Sequence, residues 1–233
     1  MADPRAAPLG AAFSAVDRYL APSAGSTSRK LPAMLTSLAT FALAATLVVL
    51  LPGPDTLVVV RNLVKDGRRV AARTVLGVLS GLTVWVVTAV LGVSAVLRAS
   101  HDAYLGLRFA GGAYLVYLGV RSLWARAGTA TSPRRLAATG YTAGLLTDLL
   151  NPKVGVFFVT FLPGFVPHGY SVAWMSLIFG AIFVVLTAAY FAILLTASRP
   201  VTRWMANTRL RRRMDRCTGL VLIGFGLRLA LEP

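Results

Sequence analysis

Cysteine, histidine and acidic side chains are all scarce in this chain: one Cys, two His and eight Asp or Glu among 233 residues. A lone thiol, Cys217, excludes an intramolecular disulfide and leaves any metal site to other ligands. His101 and His168 fall in stretches that read as loops, where an imidazole is ordinarily just solvated. No His-Glu-x-x-His metal motif and no Gly-x-Ser-x-Gly nucleophile elbow is present, so an intramembrane enzyme is disfavoured and no cofactor is expected. Charge as a whole is thin, at 14% of residues, where a soluble domain carries about 25%.

What is abundant is apolar sequence. Hydrophobic residues make up 56% of the chain, and the mean hydropathy is +0.70. The apolar residues lie in long runs, which reads as a multi-pass, all-α membrane protein with a single membrane domain. The formal net charge of +16 would point to nucleic acid in a soluble protein. Here the arginines sit in short runs between apolar segments, and no RNA- or DNA-binding motif is visible. Basic loops facing a cytoplasm and anionic lipid explain the charge better, and nucleic acid is not expected as a partner.

Residues 1–31 are small, polar and proline-punctuated, without the apolar core of a secretory signal. They read as a disordered tail, or as a weak interfacial helix over residues 9–20. Six spans follow within residues 32–233. The first covers 32–51 and continues after a break as a half-helix over 54–64. A basic loop comes next, with Arg61, Lys65, Arg68, Arg69 and Arg73. The second span, 74–97, has 24 uncharged residues, enough for about 30 Å of hydrocarbon. Its Gly77 and Gly81 form a small-xxx-small pair that lets backbones approach, either within one chain or across a homodimer. The third span covers 103–124 and is followed by a polar loop over 129–135. The fourth covers 141–166 and is itself broken, and a turn with Pro163, Gly164, Pro167 and Gly169 ends it. The fifth covers 172–197. The sixth, 217–231, starts inside the basic stretch before it.

Orientation follows from Arg and Lys counts. The loops after spans one, three and five hold five, four and seven, against four in the tail, two after span two and none after span four. The positive-inside rule then places both termini outside.

The two breaks are the most informative feature. The first reads Leu51-Pro52-Gly53-Pro54-Asp55, and the second Asp148-Leu149-Leu150-Asn151-Pro152-Lys153. Irregular backbone and charge survive at membrane depth only against protein or a watery cavity. Proline is tolerated at the first helical position, and Asn151 is a good N-cap, so new half-helices should start at Pro54 and Pro152. Their free N–H groups and positive dipole ends suit a carboxylate. Lys153 adds a cation, while Asp55 or Asp148 could hold an ammonium group or a proton. The competing reading is a structural ion pair that locks the halves together. Thr46, Thr56, Ser80, Thr83, Thr142, Thr147 and Thr160 either line a route or bond a carbonyl one turn back. Tyr114 and Tyr117 are the aromatic pair to test in the cavity.

The third and sixth spans also match at an offset of 107 residues: Gly112, Leu115, Gly119 and Arg121 against Gly219, Leu222, Gly226 and Arg228. The first and fourth match around their breaks. Two units of three spans, about residues 32–125 and 140–233, must lie inverted relative to each other, with a site between them near the midplane.

These motifs resemble the N-terminal and central signatures of the lysine exporter (LysE/RhtB) superfamily of bacterial amino-acid exporters. The resemblance rests on Leu51 to Asp55, on Gly67-Arg68-Arg69 before a Gly77-containing helix and on Ala113-Tyr114-Leu115-Val116-Tyr117-Leu118-Gly119. It extends to Gly144 to Lys153 and to Phe161-Leu162-Pro163. It covers about residues 33–230. It implies a six-helix permease of the bacterial inner membrane that exports small amino acids, driven by protons, by alternating access. It also supports Pro52, Gly53, Pro54, Asp55, Asn151, Pro152 and Lys153 as site or hinge residues. Asp148 departs from the pattern, since many relatives carry Asn there. The export direction comes from the resemblance alone. The rival readings are a channel, a lipid- or metal-handling protein on the same fold, and a non-transporting membrane scaffold.

Overall fold

Pro54 and Pro152 each open a helix, and the chain just before each is irregular. A computed structural model describes residues 27–124, 138–197 and 208–231. Among these residues there is no strand, and eight α-helices follow one another. They are α1 (Thr27–Leu50), α2 (Pro54–Lys65), α3 (Gly67–Ala99), α4 (His101–Trp124), α5 (Gly140–Leu149), α6 (Pro152–Val156), α7 (Val172–Thr196) and α8 (Thr208–Leu231). Between α6 and α7 the chain makes a π-helical turn (Phe157–Phe161) and a 3-10 turn (Leu162–Phe165). Pro163 cannot donate to the carbonyl four residues back, so the α-helical ladder loses a rung there.

Among the described residues, three stretches are long and apolar enough to cross a bilayer: Lys30–Leu50, Gly67–Gly92 and Val172–Thr196. Their outer faces are apolar too. Leu43, Leu91, Val185 and Ile193 are 63%, 65%, 66% and 67% exposed. A belt of this kind is costly against water and costless against hydrocarbon.

Lipid gives helices little hydrophobic reason to associate, so close packing must hold them together. Glycine supplies it at two seams. A Cβ on Gly77 would strike the Tyr141 carbonyl, one on Gly144 the Thr74 carbonyl, and one on Gly81 would lie 2.5 Å from Asp148 Oδ2. The contacts advance together along both helices, so α3 and α5 run parallel with their backbones nearly touching. Gly77 and Gly81 are therefore used up inside one chain and cannot also form a homodimer seam. At the second seam α4 runs antiparallel to α8. Gly119 and Gly219 each face the other's carbonyl, as do Gly112 and Gly226. Phenylalanines fill the centre: Phe41 of α1 stacks on Phe179 of α7 at 4.5 Å between centroids and meets Phe165 edge-on at 5.3 Å. Each such pair adds about 0.5–1.5 kcal/mol beyond its burial.

Several expectations are corrected. Pro32 lies inside α1 rather than at its start. The expected basic loop is almost wholly helical: only Asp66 separates α2 from α3. Gly67 turns the corner with φ +83°, a conformation that favours glycine. The buried Asn62 side chain donates to Thr74 Oγ1 at 2.8 Å across the corner. His101 opens α4 instead of lying in a loop. The two broken segments are unequal, since α2 has 12 residues and α6 only 5. The tail over residues 1–26 and the polar loop over 129–135 lie outside the described residues, while 27–31 are helical.

Candidate functional site

The carbonyls of a helix C-terminus and the amides of the next N-terminus need partners wherever a helix is interrupted. At the second break one side chain serves an amide and also reaches the first break. Asn151 caps α6, its Oδ1 accepting from the Lys153 amide at 3.2 Å, while its Nδ2 donates to Asp55 Oδ2 at 2.8 Å. Asp55 stands in the first turn of α2, where the helix dipole favours an anion. One amide thus joins the two breaks. Gly53 caps α2 in an extended conformation (φ −115°) that any residue can adopt.

Lys153 extends back over the first break. Its Nζ lies 3.5 Å from the Val48 carbonyl, one of the last in α1, and close enough to Asp55 for the two charges to act on each other. The cation at the start of α6 is therefore offset by the anion at the start of α2 and by a helix C-terminal carbonyl. Asn151 already occupies the Lys153 amide of α6, so an incoming carboxylate would meet the Lys153 ammonium rather than free N–H groups there.

Asp148, from the last turn of α5, is fully buried at 0% exposure. Its carboxyl oxygens have no hydrogen-bond partner, nor do Asp55 Oδ1 and the Thr187 hydroxyl. Its main-chain carbonyl is better served, accepting from Asn151 N at 3.0 Å and from the Trp85 indole at 3.3 Å. The Trp85 ring reaches this position because Gly155 leaves room for it.

These groups surround a cavity of about 50 Å³, lined by Asp55, Thr56, Asp148, Asn151, Lys153, Thr187 and Tyr190 among apolar neighbours such as Val48, Val78, Leu82, Phe183 and Phe191. That is room for a few waters, well below the roughly 300–1,000 Å³ of a ligand pocket. Buried polar atoms without partners, in a cavity open to a guest, equip the place to bind something polar.

Asp55, Asp148, Asn151 and Lys153 are brought together here, with Gly53 in the wall and Pro52, Pro54 and Pro152 in the breaks. Tyr114 and Tyr117 are not. Their rings neighbour each other at 5.9 Å, but α4 turns Gly112, Leu115 and Gly119 toward its partners. Tyr117, 54% exposed, lies outside the cavity lining. Of the polar residues named from sequence, Thr46, Ser80, Thr83 and Thr142 bond carbonyls on or just before their own helix. Thr56 reaches the cavity; Thr147 is buried outside it. Thr187 and Tyr190 of α7 were missed. With Phe183 and Phe191 they recur at i, i+4, i+7 and i+8 and form one helical face, a signal drowned by the apolarity of the whole helix.

The sequence profile of the LysE type translocator family matches residues 46–233. Membrane protein YrhP of Bacillus subtilis (strain 168), described as uncharacterized, is 30% identical over 200 residues, 81% of this chain and 95% of that protein. The leucine efflux protein of Salmonella typhimurium (strain LT2) is 29% identical over 204 residues, covering 82% of this chain and 93% of its own length. The threonine efflux protein of Escherichia coli (strain K12) is 29% identical over 206 residues, covering 85% and 100%. No solved structure matches the chain.

Proposed function

The chain belongs to the LysE type translocator family, a family of amino-acid efflux transporters of the membrane, and from that premise we propose that it exports small amino acids or related zwitterions across the bacterial inner membrane. The carrying observation is the convergence of two helix breaks, Asp55, Asp148 and Lys153 on one buried cavity. A zwitterion presents one group of each sign, and this cavity offers a fixed charge to each. Lys153 would receive the carboxylate and an aspartate the ammonium group. A proton on an aspartate would replace the substrate's positive charge on the return step, which couples export to the proton gradient.

The small cavity favours alternating access over a channel, because this conformation is too tight for an amino acid. Six crossings arranged as two inverted units fit the reciprocal glycine contacts of α4 and α8. The repeat pairs Gly112 with Gly219 and Gly119 with Gly226. Exchanging the units therefore turns the contact between Gly112 and Gly226 into the one between Gly219 and Gly119. That is the behaviour of a two-fold axis lying in the membrane plane.

Asp55→Asn tests the proposal. Cells expressing the wild-type protein should shed a preloaded amino acid from a panel of twenty, and an uncoupler should abolish the flux. The variant should remain in the membrane and lose export. Undiminished efflux from the variant would refute the role of Asp55, and uncoupler-resistant flux would refute proton coupling.

A further inference from the structure

The two aspartates of the cavity are not equivalent. Asp55 is engaged: Oδ2 accepts from Asn151 at 2.8 Å, and the Lys153 charge acts on it. Asp148 has neither advantage. Both its oxygens lack a partner, it is wholly buried, and the nearby charge that acts on it is that of Asp55, of the same sign. An ionised carboxylate is not stable in that setting without a cation. The same cavity is lined from α7 by Thr187, 6% exposed, whose hydroxyl is also without a partner. This departs from the usual threonine in an apolar helix, which bonds its own backbone one turn back, as Thr46 and Thr83 do here.

We propose that Asp148 and Thr187 form the pole of the cavity that receives the substrate's primary ammonium group, leaving Lys153 to the carboxylate. The assignment rests on the transport reading of the same cavity. An ammonium group carries three N–H donors and no acceptor. Asp148 and Thr187 offer it three oxygens able to accept, none of which has a hydrogen-bond partner. Thr187 is thereby a specificity-determining residue that neither the helix breaks nor their motifs mark. A ligand role and a packing role make opposite forecasts for Thr187→Val, which keeps the shape and removes the hydroxyl. A hydroxyl with no partner in the empty protein is a liability, so its loss should leave melting of the ligand-free protein unchanged or raise it.

The experiment uses the purified full chain in detergent, titrated with the twenty amino acids. The tightest binder is then compared with its deaminated carboxylic acid, in sodium buffer and in potassium buffer. Thr187→Val should weaken the amino acid about tenfold, the worth of one hydrogen bond to a charged group. It should leave weak binding of the deaminated acid unchanged, and Asp148→Asn should weaken the amino acid further. Equal affinity in wild type and Thr187→Val would overturn the assignment, as would equal weakening of both ligands. Binding that requires sodium would overturn it too, by giving the pole to a metal cation. If the wild-type protein binds none of the twenty, the transport reading of the cavity falls, and this assignment falls with it.

Discussion

Gly119→Ala should loosen the seam between α4 and α8, while Gly224→Ala, on α8 but away from the seam, should not. An alanine Cβ at position 119 would lie 2.6 Å from both the Gly219 carbonyl oxygen and Ile223 Cγ1, and 3.0 Å from the Ile223 amide. Two of these three are backbone atoms, which cannot swing aside, so the helices must separate. Overpacking of this kind costs about 1–3 kcal/mol. At position 224 a Cβ meets nothing within 4 Å, and replacing glycine inside a helix gains about 0.5–1 kcal/mol. Both variants share that gain, so the gap between them is the packing cost alone. For a chain of this size 1 kcal/mol moves the melting temperature by about 2–4 °C, giving a gap of about 2–12 °C. Tryptophan fluorescence of detergent-solubilised protein during heating reads it directly. The double variant Gly119→Ala with Gly219→Ala sharpens the test. Each glycine faces the other's carbonyl, so once the helices have parted for one methyl group, the second enters at a discount. The double variant should cost less than the sum of the singles. Equal melting of Gly119→Ala and Gly224→Ala, or strict additivity in the double variant, would refute the reasoning.

Lys153→Ala should weaken binding of carboxylated substrates more than of their methyl esters; equal loss for both in a binding titration would remove Lys153 from carboxylate recognition. Gly81→Ala should cut export at least tenfold, because its Cβ would lie 2.5 Å from Asp148 Oδ2 and 2.9 Å from Asp148 Cβ, forcing the carboxyl off its seat. Gly92→Ala, on the same helix with open space around it, should export normally, and matching losses in the two would point to a general effect of alanine in α3. With Cys217 replaced by serine, a cysteine at Arg68 should resist a membrane-impermeant thiol reagent applied to intact cells. Ready labelling there would reverse the topology.

The breaks were legible in the sequence because proline and charge at membrane depth have few physical explanations. Pro54 and Pro152 therefore fixed where α2 and α6 begin, and Asn151 announced itself as a cap. The elbow after Lys65 was not legible, since a cluster of five basic residues looks like a loop. Its helicity depends on a tertiary bond between Asn62 and Thr74 and on one left-handed glycine, neither of which has a periodic signature. The unequal second break has a similar cause: α6 gives way to a π-helical turn as the chain approaches Pro163 among packed phenylalanines. Tyr114 and Tyr117 were misplaced because spacing shows that two rings share a face, not which neighbour that face meets. The glycines of α4 settled that, and they sent the tyrosines elsewhere. Thr187 stayed hidden because a helix apolar on all sides gives no clue to which stripe turns inward.

Asn151 holds Asp55 with one end of its amide and the first turn of α6 with the other. Under the proposed alternating access, rocking of one half against the other would have to release the Asp55 grip before the gap widens, then restore it on the way back. A latch of that size is cheap to lift and quick to reset. The two glycine seams also join the halves, α3 to α5 and α4 to α8, so the same motion would have to pivot about those close contacts.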